Sequence, residues 1–377
     1  MSVEIRKVQT KKELKEFIHF ANDLYKGDEY YAPSLISDDY NTFDPKKNGA
    51  FDFCQAQMFL AYKDGKIAGR VMAIINNRAN ETWKVKQVRY GWIDFINDEE
   101  VAKALLDAVA AWGKERGMTD IAGPLGFTDF DPEGMLVEGF ERVATMIGIY
   151  NYPYYPQILE KLGYTKETDW MEYRITIPDE LPERYYKYAD IVIAKNKLNV
   201  RKVTRRMINK ENYGRKFFKL INETYYKLYG FSLLSDKQID AYTKLYLGLL
   251  DTRMVSFIEN EKGELVAAGV TMPDLTAALQ KCGGKLFPFG WFHLLKAIFW
   301  KPCDTLDMLL VGVREDYRGK GLNAVLVTDL YPRLKAMGFK YAETTAELET
   351  NDSIQAMWKY FEREQHKRRR VYAKKIE

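Results

Sequence analysis

The sequence contains little cysteine and little histidine. Among its 377 residues there are only three of each. They are Cys54, Cys282, Cys303, His19, His293 and His366. No two cysteines have the short spacing of a zinc-ligand pair, and three isolated cysteines argue against a disulfide framework. The histidines lie far apart with no carboxylates at metal-ligand spacing, so we predict no metal site.

Long apolar runs and a strong net charge are also missing. No apolar run reaches the ~18 residues that a membrane-spanning helix needs. The first residues, MSVEIRKVQTKKELKEF, lack the apolar core of a secretory signal. The net charge of +4 is too small to favour a nucleic-acid partner. Together with the scarcity of cysteine, these absences lead us to expect a cytoplasmic protein.

What is present is the composition of a globular protein with substantial cores. Hydrophobic residues make up 46% and charged residues 29% of the chain. The 26 tyrosines and 20 phenylalanines are enough for apolar cores and for an aromatic-lined cleft. Because 377 residues exceed the length of one ordinary domain, we expect two.

The most informative stretch is a basic, glycine-containing turn at residues 314–323. An apolar strand, Met308 to Val313, runs into the turn, and an amphipathic helix, Leu322 to Met337, is predicted to follow it. The first amides of a helix lack partners within the helix and carry partial positive charge, which favours a phosphate there. Gly319 and Gly321 permit positive φ and let a ligand approach the backbone. The stretch therefore predicts a phosphate or pyrophosphate site.

This turn lacks the Gly-Lys-Ser/Thr ending of a Walker motif and the third glycine of the dinucleotide fingerprint. It resembles motif A of the GNAT superfamily, the acyl-coenzyme A-dependent N-acyltransferases, which reads Arg/Gln-x-x-Gly-x-Gly/Ala. Arg318, Gly321 and Asn323 occupy the fixed places, with Asn323 where glycine or alanine is usual. The resemblance implies that acetyl-CoA or another acyl-CoA binds as co-substrate, with its pantetheine along the preceding strand. The implied cofactor-binding residues are Leu310, Val311, Val313, Arg318, Gly319, Lys320, Gly321, Leu322, Asn323, Ala324 and Asn351.

A second GNAT-like pattern follows the helix. Residues 340–348 are predicted to form a strand, and Asn351 to Glu364 a helix. The helix resembles motif B, Asn-x-x-Ala-x-x-x-Tyr, with Asn351 matching and Trp358 in the place of the tyrosine. That tyrosine often protonates the leaving thiolate in the family, but an indole N–H has no useful acidity. Core packing and a functional role therefore both stay open for Trp358.

Candidate catalytic residues come from the resemblance. A glutamate often removes the proton of the amine in this family, directly or through water. Glu349 is our preferred candidate, and Glu347 is predicted to share its strand face by the period of two. Tyr360 is the tyrosine nearest to Trp358 in sequence and is the candidate acid. A residue two positions farther along a helix, however, lies on a different face of it.

The chain contains an internal repeat. Residues 17–25 (FIHFANDLY) are similar to residues 217–225 (FFKLINETY), and a strand-turn-strand pattern follows in each half. We predict an α/β fold of two tandem GNAT-like domains, each a mixed, mostly antiparallel sheet flanked by helices. The predicted division is 1–177, a connection at 178–200, and 201–377. In the first half the acidic, glycine-free Asn97 to Glu100 replaces the phosphate turn, so one coenzyme per chain is expected.

Four other segments have an assigned role or open alternatives. Loops 123–135 and 150–156, rich in aromatic residues and in Pro or Gly, either line a cleft between the halves or cover the surface. For segment 286–300, flanked by Lys285, Lys296 and Lys301, three alternatives stay open: core or inter-domain packing, a lid over an apolar substrate or acyl chain, or a weak membrane-surface contact. Residues 366–376 are basic but alternate like a last strand rather than a nucleic-acid arm.

The resemblance predicts an acyl-CoA-dependent N-acyltransferase in which an acceptor amine attacks the thioester directly. The acceptor is expected to be a small-molecule or peptide amine, and the sequence does not indicate an oligomeric state. Two alternatives stay open. One is a Fem-type aminoacyltransferase, which generally lacks a coenzyme turn, and the other is a non-catalytic coenzyme A sensor.

Overall fold

A computed structural model describes residues 2–248, 250–300 and 303–377 of the chain; Lys301, named above as a flanking residue, lies outside these ranges. The strands are β1 Glu4–Lys7, β2 Cys54–Lys63, β3 Lys66–Asn76, β4 Gln87–Phe95, β5 Asp120–Gly123, β6 Met135–Glu138, β7 Thr165–Thr176, β8 Asn199–Arg201, β9 Val255–Glu259, β10 Leu265–Pro273, β11 Thr305–Val313, β12 Tyr341–Thr344, β13 Glu347–Leu348 and β14 Arg363–Lys375.

Helices alternate with these strands in both halves of the chain. They are α1 Lys11–Leu24, α2 Ile36–Thr42, α3 Asn77–Trp83, α4 Glu99–Lys114, α5 Tyr154–Lys161, α6 Glu183–Asn196, α7 Arg205–Lys210, α8 Tyr213–Tyr225, α9 Asp236–Tyr242, α10 Thr276–Cys282, α11 Gly290–Leu295, α12 Leu322–Ala336 and α13 Asp352–Met357. A π-helical turn, Lys296–Trp300, continues α11.

The strands join into one continuous sheet, in which the strand order of the second half mirrors that of the first. The order is β1-β2-β3-β4-β5-β14-β7-β12-β11-β10-β9-β8, with β6 paired to β14 and β13 paired to β7. At the centre the last strand of the chain, β14, lies between β5 and β7 of the first half. Strand β7 in turn pairs with β12 of the second half. Each half therefore adds one long strand beside the fifth strand of the other half, and the division at 177 and 201 stays a prediction.

The predicted fold class and repeat are confirmed. In each half a pair of helices (α1 and α2, α8 and α9) comes before a hairpin, and a strand, a long helix and another strand follow it. Short helices, α3 in the first half and α10 and α11 in the second, lie between the hairpin and that strand. One prediction is wrong: the helix expected from Asn351 to Glu364 ends at Met357, and β14 already begins at Arg363. The reason is that β14 pairs with β7 from Arg363 onward. Arg363 and Glu364, which were predicted to be helical, therefore belong to the sheet, because tertiary pairing overrides local propensity.

Segment 286–300 is neither fully core nor fully exposed. Leu294 and Ile298 are buried in the core of the second half, which also holds Phe217 and Phe257. Most of the aromatic side chains point outward, and Phe287 is 79% exposed. The expectation of plain core packing is therefore wrong for the aromatic residues. No helix in the part of the chain that the structure describes is both long and apolar enough to cross a membrane.

Candidate active site

Strand β11 continues beyond the point where its pairing with β12 ends. The two strands pair in parallel only over Thr305–Met308 and Tyr341–Thr344. On the other side of β11 the register with β10 shifts, because Val270 faces Leu310 while Thr271 faces Met308. Leu309 is thus the extra residue of a β-bulge, which bends the strand away from its neighbour. Beyond this point β11 and β12 leave a gap in the sheet.

The gap leads to the N-terminus of α12. Gly321 precedes the helix with φ of +84°, and no side chain caps the helix in the described structure. A Cβ at Gly321 would lie 2.6 Å from the Tyr188 hydroxyl oxygen, whereas Gly319, with φ of +71°, has open space beside it. The Arg318 guanidinium donates from Nη2 to the carbonyl oxygen of Thr224 at 2.9 Å. The turn therefore combines uncapped amides, a nearby cation and an unobstructed approach, as an anion site needs.

The corresponding place in the first half is closed. Asp98 caps α4 by accepting from the backbone N–H groups of Glu100, at 3.0 Å, and Val101, at 3.3 Å. Strand β4 stays against the chain that follows β5, since the Leu125 N–H donates to the Tyr90 carbonyl oxygen at 2.9 Å. A phosphate at this helix end would therefore meet the Asp98 carboxylate.

A cavity of about 970 Å³ opens from the gap and extends between the halves. Its size is at the upper end of the ~300–1,000 Å³ typical of ligand sites. Most of the predicted coenzyme-binding residues line it, namely Leu310, Val311, Val313, Arg318, Gly319, Gly321, Leu322, Asn323 and Asn351. Lys320 and Ala324 do not belong to its lining, and the Lys320 ammonium lies 5.0 Å from the ring centre of Tyr317. Their binding roles stay predictions.

Glu347 has the properties of a general base within this cavity. It lines the cavity, and its Oε1 accepts a hydrogen bond of 2.8 Å from the Trp358 indole N–H. Oε2 is buried without a hydrogen-bond partner among the described residues. Burial raises the pKa of Glu347 to about 7, while the bond from Trp358 acts to lower it. A carboxyl with such a pKa exchanges a proton readily near neutral pH.

Glu349 and Tyr360 are placed elsewhere. Glu349 accepts from the Lys166 ammonium at 2.7 Å and from the Asp169 backbone N–H at 3.2 Å, and it does not line the cavity. The expected common face of Glu347 and Glu349 is wrong, because β13 ends at Leu348 and the alternation ends with it. Tyr360 is 75% exposed in the turn after α13 and lies outside the cavity lining. Neither residue is retained as our candidate.

Tyr225, at the end of α8, is a site residue that the sequence analysis missed. Its hydroxyl donates to the carbonyl oxygen of Val311 at 3.0 Å and lies 3.4 Å from the Val311 nitrogen, beside the gap. Burial raises its pKa to about 12, so it stays protonated and can donate a hydrogen bond. The internal repeat contained the signal, since Tyr225 matches Tyr25, which donates to Asp94 at 2.9 Å in the first half.

Acidic side chains of loop 123–135 form another part of the cavity wall. Asp129, Asp131 and Glu133 all line the cavity, as one of the two alternatives for this loop predicted. Burial raises the pKa values of Asp129 and Asp131 to about 6. Burial and the charge of Asp129 raise the pKa of Glu133 well above its usual value. No group of His, Cys, Asp and Glu among the described residues could hold a metal ion.

Solved structures identify the fold. A tandem GNAT protein from the clavulanic acid biosynthesis pathway superposes on the chain with a TM-score of 0.55. The match covers 100% of this chain and 99% of that protein at 10% sequence identity. The chain therefore has the tandem GNAT fold, as its motifs predicted.

Two curated proteins are similar over nearly their whole length, although no family model matches the chain. One is the protein YghO of Escherichia coli K12, 28% identical over 99% of this chain and 95% of that protein. The other is a bacterial ceramide synthase of Caulobacter vibrioides, 25% identical over 98% of this chain and 96% of the relative.

Proposed function

We propose that the protein is an acyl-CoA-dependent N-acyltransferase whose acyl donor and acceptor include a long apolar chain. The observation that carries this proposal is the gap between β11 and β12, which leads from the uncapped N-terminus of α12 into a large cavity. Backbone amides and Arg318 suit the pyrophosphate of coenzyme A, and the exposed edge of β11 suits its pantetheine arm.

The residues of the cavity supply the groups that amide formation needs. The amine nitrogen attacks the thioester carbonyl carbon, the C–N bond forms and the C–S bond breaks. Glu347, with its pKa of about 7, takes the proton that the nitrogen loses. The thiolate leaves and takes up this proton from Glu347, directly or through water, which gives the free thiol of coenzyme A and restores the carboxylate. Tyr225 stays protonated beside the gap and is our candidate hydrogen-bond donor to the sulfur.

The size and lining of the cavity support an apolar substrate rather than acetyl-CoA with a small amine. Its apolar lining includes Leu306, Met308, Leu330, Phe217 and Phe231. The Caulobacter vibrioides relative is a ceramide synthase, and a ceramide is the amide of a fatty acid with a long-chain amino alcohol. We therefore place a fatty acyl chain and a long-chain amine in this cavity.

Titration calorimetry and a transfer assay test the proposal. We expect coenzyme A to bind with one site per chain, because Asp98 caps the corresponding helix of the first half, whereas the N-terminus of α12 has no side-chain cap among the described residues. With palmitoyl-CoA and a sphingoid amine, we expect release of free thiol and an amide detected by mass spectrometry, at a higher kcat/KM than with acetyl-CoA. Absence of coenzyme binding contradicts the proposal. Binding without transfer across an amine panel supports the sensor alternative.

Replacing Glu133 by glutamine is expected to weaken acceptor binding. Burial raises the pKa of Glu133, and an ammonium bound beside it would favour its ionised form. Glutamine cannot ionise, so the KM for the amine is expected to rise by about tenfold. The KM for the acyl-CoA is expected to stay unchanged, because Glu133 and the turn belong to different halves. Steady-state kinetics with each substrate varied in turn check this. Equal KM values for the amine in the two proteins contradict a role of Glu133.

A further inference from the structure

The segment from α10 to the end of the π-helical turn exposes an aromatic surface. Phe287 and Phe289 are 79% and 73% exposed, and Trp300 is 65% exposed. The Phe292 ring lies 5.9 Å from that of Trp300 and 6.1 Å from that of Trp291, so these three form one cluster. Water-exposed aromatic patches of this kind mark a surface that meets another apolar phase or a partner. We call these five residues the aromatic patch.

The charged residues within the segment itself have one sign. Between Asp274 and Asp304 the sequence contains no aspartate and no glutamate, but several lysines. Lys281, Lys285 and Lys296 are exposed. A chain with a net charge of only +4 thus keeps a continuous stretch free of acidic residues at the place where it exposes its aromatic rings. Exposed aromatic rings beside lysines suit the interface of a bilayer that contains anionic lipids.

The patch adjoins a wall of the cavity. The Gly284 carbonyl oxygen accepts from the Ile36 backbone N–H at 3.0 Å. The Gln280 side-chain amide donates to the carbonyl oxygen of Tyr31 at 3.0 Å. Tyr31 and Leu35 line the cavity. The segment that carries the patch is therefore bonded directly to the segment that bounds the substrate space.

We propose that the aromatic patch docks the protein on a membrane surface that contains anionic lipids and brings the cavity to its lipid substrates. The rings enter the interface, and the flanking lysines contact the lipid headgroups. The purpose assigned to docking rests on the proposed function, but the docking itself does not require catalysis. An acyltransferase of membrane-resident amines meets its acceptor at the bilayer surface, where such amines partition.

Vesicle flotation tests the docking. We expect the protein to float with vesicles of phosphatidylcholine mixed with phosphatidylglycerol, and to float much less with phosphatidylcholine alone or at high salt. The variant Phe287→Ser/Phe289→Ser is expected to lose at least about tenfold in its partition coefficient. The variant Lys281→Gln/Lys285→Gln is expected to lose its preference for anionic vesicles.

A matched control removes two exposed apolar side chains far from the segment in sequence. The variant Ile191→Ser/Val85→Ser is expected to float like the parent protein, since Ile191, 62% exposed, lies in α6 and Val85 lies between α3 and β4. Coenzyme A titration of every variant is expected to match that of the parent protein. Flotation reports on membrane docking and the titration reports on the coenzyme site, so failure of one proposal can be told from failure of the other.

Brominated lipids give an independent measurement. Trp291 and Trp300 are exposed, so their fluorescence is expected to be quenched when vesicles carry bromine on the acyl chains. The variant Trp291→Phe/Trp300→Phe is expected to float but to lose most of this quenching. The proposal is overturned if the parent protein does not float, or if the Phe287→Ser/Phe289→Ser variant floats equally well. It is also overturned if light scattering shows that the patch joins two chains and no vesicle binding occurs.

Discussion

Gly319→Asp is expected to abolish most coenzyme A binding, whereas Gly319→Asn is expected to retain it. Gly319 has φ of +71° and open space beside its Cα, so either side chain fits without a clash. Asparagine and aspartate tolerate this region better than other residues and have the same shape. Two unit charges about 4 Å apart repel by roughly 1 kcal/mol in water and 4 kcal/mol at an effective dielectric constant of 20. We therefore expect the aspartate variant to bind about 10- to 1,000-fold more weakly than the asparagine variant.

Titration calorimetry of the two variants under identical conditions checks this expectation. Any strain from positive φ is nearly common to both, so the difference isolates the charge. Raising the ionic strength is expected to narrow the difference, since the turn is exposed to solvent. Equal affinities would show that no phosphate lies at this turn. Gly321 is less suitable for the test, because a side chain there would press against Tyr188 and Val192 and disturb α6.

The glycine turn before α12 could be predicted because its determinants are local. An apolar strand, two glycines two residues apart and a helical pattern specify the conformation within a few neighbouring residues. The same holds for the closed turn of the first half, where Asp98 was recognised as part of an acidic segment and is found capping α4. The repeat of hairpin, strand and helix could also be predicted from the sequence, since helices and strands differ in hydrophobic periodicity.

The choice between Glu347 and Glu349 could not be predicted from the sequence. It depends on where strand pairing ends, and β13 pairs with β7, a strand more than 170 residues earlier in the chain. The placement of β14 between β5 and β7 is another long-range pairing that no local pattern specifies. Trp358 shows the same limit. The sequence indicated only that it is not an acid, and its bond to Glu347 became visible in the fold.

Glu347→Gln is expected to lower kcat by about 100-fold or more, because general bases typically contribute 10²- to 10⁴-fold. The amide keeps the shape of the side chain and can still accept from Trp358, so coenzyme A affinity is expected to stay unchanged. Stability gives a readout that needs no activity. Because burial raises the folded-state pKa of Glu347 to about 7, the carboxyl favours the folded state most below its ordinary pKa and loses this contribution as the pH rises through about 7. The free energy of unfolding of the parent protein, relative to that of the glutamine variant, should therefore fall between acidic and mildly alkaline pH.

Trp358→Phe tests whether the indole positions this carboxylate rather than only filling space. Its N–H donates to Glu347 and acts to lower the carboxyl pKa, so phenylalanine is expected to raise that pKa further. The acidic limb of the kcat/KM profile should then shift to higher pH, because the base is deprotonated only at higher pH. A purely structural role for Trp358, which is buried in the core beside Leu330 and Phe339, predicts lower stability with an unmoved limb. If Trp358→Phe shifts the acidic limb of the kcat/KM profile and Glu347→Gln removes that limb, the two residues act together and Glu347 is the base.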